Sequence, residues 1–65
     1  MRILIEIECD NAAFETYTGV EIKRILNYVA GILSNADTHA ALLDYDGYRP
    51  RDIDGNTCGT VKVLP

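Results

Sequence analysis

At 65 residues, with ten acidic against six basic side chains and a net charge of -4, the chain is short and acidic. A domain of this size buries only about 60% of its unfolded surface, so residues 1–65 read as one domain with a single small core and no separate domain for a site. The charge argues against direct nucleic-acid binding, and the lack of an apolar run approaching about 18 residues, a leader pattern or a lipidation signature argues against membrane insertion and secretion, in favour of the cytoplasm.

Met1 to Cys9 alternates, with Ile3, Ile5 and Ile7 pointing one way and Arg2, Glu6 and Glu8 the other. This predicts a strand with one face on the core and one on water or a partner. Leu4 is the exception, an apolar residue on the wet face. Asp10 and Asn11 favour a turn, and Phe14, the only phenylalanine, is expected to anchor the crossing segment. A strong helix signal runs from Thr18 to Ala36, where Ile22, Ile25, Leu26, Val29, Ile32, Leu33 and Ala36 recur at spacings of three and four and form one apolar stripe. Glu21, Lys23, Arg24, Asn27, Ser34 and Asn35 fall mostly on the opposite, hydrated face. Thr18-Gly19-Val20-Glu21 fits a capping box, Tyr17 is placed for a hydrophobic staple on Ile22, and Asn35 suits a left-handed C-cap.

After Thr38, Ala40-Ala41-Leu42-Leu43 suits a strand or a helical turn, and the strand is preferred. Asp46-Gly47 signals a turn, and Pro50 limits Tyr48 to Ile53 to a sheet edge. Asp54-Gly55-Asn56 is a stronger turn, and Thr57 to Leu64 alternates again, with Val61 and Val63 opposed to Thr60 and Lys62. Gly59 within it marks a bulge or a close approach. The expected fold is α+β in β-α-β-β order: one amphipathic helix packed on a small antiparallel sheet of three strands, or four if Tyr48 to Ile53 pairs.

Catalytic and metal chemistry find little material. His39 is the only histidine, and acid–base or nucleophilic schemes need a base beside a nucleophile in a sheltered cleft, so no enzyme and no cofactor are expected. Cys9 and Cys58 are too few for a disulfide framework or a four-cysteine zinc site and read as reduced, packed thiols. Asp52-x-Asp54-Gly55-Asn56 is similar to the start of a calcium loop, but such a loop needs glycine at position six and a bidentate glutamate at twelve, and here glycine stands at position four and Val63 at twelve. These aspartates read as turn carboxylates, and no metal is expected.

Two stretches, Asp10-Asn11-Ala12-Ala13-Phe14 and Asp54-Gly55-Asn56-Thr57-Cys58-Gly59-Thr60, resemble the signature segments of small phage and prophage proteins of about this length. Those proteins read as strand, DNAAF-like turn, helix and a hairpin of the form D-x-[DN]-G-N-x-V-G, with Cys58 here in place of the usual valine. The resemblance covers about a third of the chain and implies origin in a mobile element. For a small acidic chain that origin further implies a binding protein that blocks a host system, with the anti-CRISPR proteins as the group it points to. The expected partner is a host protein with a basic nucleic-acid groove, such as a CRISPR effector subunit, met in the host cytoplasm by a monomer. The carboxylates expected to make that contact are Glu6 and Glu8 on the wet face of the first strand and Asp44, Asp46, Asp52 and Asp54 around the two turns. The alternative is a phage structural or assembly protein that pairs through an exposed sheet edge.

Overall fold

The computed structural model describes the whole chain, Met1–Pro65. In order it forms strand β1 (Arg2–Ile7), a 3-10 turn (Ala12–Phe14), helix α1 (Thr18–Leu33), the short helix α2 (His39–Leu43) and strand β2 (Gly59–Leu64). β1 and β2 pair antiparallel, from Arg2 opposite Leu64 to Ile7 opposite Gly59. The class is α+β, with one main helix and an antiparallel sheet. The sheet has two strands where three or four were expected, and the element order is β-α-α-β.

The preferred middle strand is α2. Ala40, Ala41, Leu42 and Leu43 are good helix formers without β-branching, and Thr38 caps them, its Oγ1 accepting the Ala41 N–H at 3.0 Å. The segment expected to supply a fourth strand runs beside β2 without becoming regular. Gly47 N–H donates to the Val61 carbonyl and Val61 N–H to the Tyr48 carbonyl, both at 2.8 Å, and Cys58 N–H donates to the Pro50 carbonyl at 3.0 Å. Asp46 Oδ1 accepts the Val63 N–H at 2.9 Å, a side chain standing in for backbone. Pro50 brings no N–H, so the ladder shrinks to one isolated bridge, Arg51 to Thr57. Both sides of β2 are therefore occupied, by β1 and by Asp46–Arg51. β1 has a neighbour on one side only.

α1 begins at Thr18 as expected but ends at Leu33, short of Ala36. The capping box does not form. Tyr17 is the N-cap, in the left-handed region at φ 57°, with no side-chain cap bond. Thr18 is already inside the helix, its hydroxyl donating back to the Phe14 carbonyl. Tyr17 is 79% exposed, so it makes no staple, and Asn35 does not take up a left-handed C-cap. The core consists of Phe14, Ile25, Val29, Cys58, Val61 and Val63, with Ile7, Ala13, Ile22, Leu33, Leu42 and Tyr48 packed around it. Leu26, expected in the buried stripe, lies at its exposed margin.

Ile3 and Ile5 stand directly opposite Val63 and Val61, on the same face of the sheet. Val61 and Val63 are buried, whereas Ile3 and Ile5 remain 40% and 41% exposed. The molecule measures 37 × 17 × 16 Å, a cross-section filled by one helix over one sheet layer, and the core gathers over β2. No helix is long and apolar enough to cross a membrane.

Candidate interaction surface

The surface carries no pocket, so the residues with chemistry to offer divide into those tying the fold together and those standing free. Glu21, expected on the hydrated face of the helix, belongs to the first group and is only 7% exposed. Its Oε1 accepts from Arg24 Nε at 2.6 Å, the one ion pair of the chain, and its Oε2 accepts the Ile53 N–H at 2.7 Å. Arg24 extends the tie through Nη2, which donates to the Arg51 carbonyl at 3.2 Å. The hydrogen bond from Arg24 outweighs burial and holds the Glu21 carboxyl below its ordinary range.

Asp52 makes the second tie. It is buried, and its Oδ1 accepts the N–H groups of Asp54 at 3.0 Å and Asn56 at 2.9 Å, an Asx turn closed by Gly55 at φ 89°. Its Oδ2 accepts from Asn11 Nδ2 at 2.9 Å. Burial pushes this carboxyl up, but the donors from Asn56, Asn11 and Asp54 prevail and hold it below its ordinary range. Asp52, two residues ahead of the stretch Asp54 to Thr60, thereby ties that stretch, through the Asp54 and Asn56 N–H groups, to Asn11 in the stretch Asp10 to Phe14. These residues serve the turn and its anchoring.

Of the six carboxylates expected to contact a partner, Asp52 is thus buried and consumed by the hairpin, and Asp46 holds the Val63 N–H. Glu6, Glu8, Asp44 and Asp54 are exposed, with no ion pair inside the chain. The structure does not gather them into an unbroken acidic face. Glu6 shares its side of the sheet with Arg2 and, across the register, with Lys62. Asp44 follows α2, and Asp54 sits in the hairpin turn.

The remaining candidates do not converge. His39 is exposed at the start of α2. Cys9 is exposed and Cys58 buried, and both are free thiols. Burial, aided by the nearby Asp52 carboxylate, pushes the Cys58 thiol up, away from the thiolate a nucleophile needs. No cluster of three or more histidine, cysteine, aspartate or glutamate side chains has the arrangement to hold a metal ion.

Sequence reasoning read the alternation of β1 but placed its isoleucines under the helix. Met1, Ile3, Leu4 and Ile5 form an apolar margin exposed by 40–48% beside an unpaired strand edge. Leu4, out of pattern on the wet face, was the visible sign of it. Comparison with protein-family models, with curated proteins and with solved structures finds no match to this chain.

Proposed function

We propose that this chain is a small acidic binding protein of phage or prophage origin that inhibits a host CRISPR effector by occupying the basic nucleic-acid groove of one of its subunits. The observation that carries the reading is the set of exposed carboxylates Glu6, Glu8, Asp44 and Asp54 on a pocketless domain of net charge -4, free of internal ion pairs. Arrays of arginine and lysine that track phosphates also attract carboxylates, and such association is fast and salt-sensitive. Asp46 and Asp52 belong to the scaffold that presents these groups.

The test is competition with target DNA for purified CRISPR effector complexes of several types, read by gel mobility shift at low and high salt. Wild type is expected to suppress DNA binding by an effector at low salt and to lose its hold as salt rises. The combined variant Glu6→Gln, Glu8→Gln, Asp44→Asn, Asp54→Asn should keep its circular dichroism spectrum and lose at least about tenfold in inhibition, the loss of several charge contacts at up to about 1 kcal/mol each. Undiminished inhibition by that folded variant sinks the carboxylate mechanism, and DNA binding unaffected across all the effectors sinks the target class.

A further inference from the structure

We propose that the free edge of β1 pairs with β1 of a second copy of this chain, antiparallel about a two-fold axis at Leu4, joining the two sheets into one of order β2-β1-β1-β2. Val61 and Val63 turn their N–H groups away from β1, to Tyr48 and to Asp46, so by strand alternation Thr60, Lys62 and Leu64 face β1. The register then places Arg2, Leu4 and Glu6 in the pairs bonded to β2 and turns the backbone groups of Ile3, Ile5 and Ile7 outward. Those of Ile3 and Ile5 are unpaired within the chain, while the Ile7 carbonyl accepts from Cys9 Sγ at 3.8 Å, and they lie along a strand whose apolar side chains are half-exposed.

Charge and apolar pattern select the occupant. With Leu4 opposite Leu4, Ile3 falls opposite Ile5 and Arg2 opposite Glu6, and the two-fold repeats each pair. Ile3 and Ile5 exchange main-chain hydrogen bonds with Ile5 and Ile3 of the second copy, using the groups that point outward. Arg2 and Glu6 occupy non-hydrogen-bonded pairs, where opposing side chains come closest. Neighbouring two-fold registers are worse: an axis at Ile5 sets Leu4 against Glu6, and an axis at Ile3 sets it against Arg2. The stretch Arg2-Ile3-Leu4-Ile5-Glu6 is therefore complementary to its own reverse. A single six-residue strand lies at the small end of interface sizes, so the pairing is reversible.

This surface shares Glu6 with the inhibitor reading but does not rest on it, and it is tested without any effector. Sedimentation equilibrium from about 1 μM to about 1 mM is expected to show a concentration-dependent dimer for wild type. Arg2→Glu and Glu6→Arg should each weaken it about tenfold by turning two attractive pairs repulsive, and the two together should restore it. Leu4→Lys, at a side chain 48% exposed, should abolish it while leaving the fold intact by circular dichroism. A wild type that stays monomeric throughout overturns the pairing. So does a dimer that persists in Leu4→Lys, or a charge swap that fails to restore what the single changes lose.

Discussion

Glu21 is held ionised first by Arg24 and then by the distant Ile53 N–H, and Asp52 against its burial by Asn56 and then by the distant Asn11. Both are held below their ordinary range, so the stability they contribute is complete above the unfolded carboxylate values, about pH 4, and is lost as pH falls through the lower folded values. Thermal unfolding followed from pH 7 to pH 2 should show a steep fall of melting temperature below about pH 4. Glu21→Gln and Asp52→Asn should each lower the melting temperature at pH 7 and flatten that fall; an unchanged pH profile in either would remove that residue from the account. At Gly59 the demand is steric. A Cβ there would overlap the Glu6 carbonyl, which is backbone and cannot swing aside, so Gly59→Ala should destabilise by about 1–3 kcal/mol in urea unfolding. Tyr17 tests the reverse case, since its left-handed backbone is strained and its side chain packs on little. Tyr17→Asn should be neutral or stabilising by up to about 1 kcal/mol.

Among the elements, α1 was the most legible, because a 3.6-residue stripe is written in local spacing alone. Its buried and exposed members can be told apart by substitution. Ile25→Ala, at a fully buried position, should cost about 2–4 kcal/mol, whereas Leu26→Ala should cost less than about 1 kcal/mol, both measured by urea unfolding. Equal costs would mean that the helix is rotated from the orientation described. The cap of the helix, though not its start, was misread for a physical reason. Thr18 and Glu21 have capping-box spacing, but the loop at Ile53 offers Glu21 a partner that no local pattern announces. The α2 segment was readable in part, since Thr38 ahead of two alanines and two leucines is a cap and a helical run. The carboxylates divided along the same line: Asp52 sits in a turn that the sequence marked clearly, but its burial depends on Asn11, distant in the chain.

For the whole molecule, the decisive property is its thinness. Only nine of the 65 residues are buried, and total stability for such a domain is about 3–10 kcal/mol, so core substitutions near the upper end of their range should unfold it outright. The two thiols report on this directly. Cys9 should react with a maleimide within the mixing time of the experiment, while Cys58 should label at least about a hundredfold more slowly, through opening of the core. Comparable rates would show that the layer over Cys58 is not closed. The α+β class was legible because periods of two and 3.6 occupy separate stretches. The strand count was not, because Asp46–Arg51 satisfies β2 through a carboxylate and scattered backbone bonds that no periodicity encodes. The pairing of Arg2 with Leu64 also sets the order of events as the chain is made. β1 leaves the ribosome before β2 and waits, unpaired on both edges, while residues 8–58 are synthesised before its partner arrives. Closure across nearly the full length makes this sheet the late, slow step, and a substitution that delays β2, such as Gly59→Ala, should reduce the yield of folded protein in the cell beyond what its equilibrium stability implies.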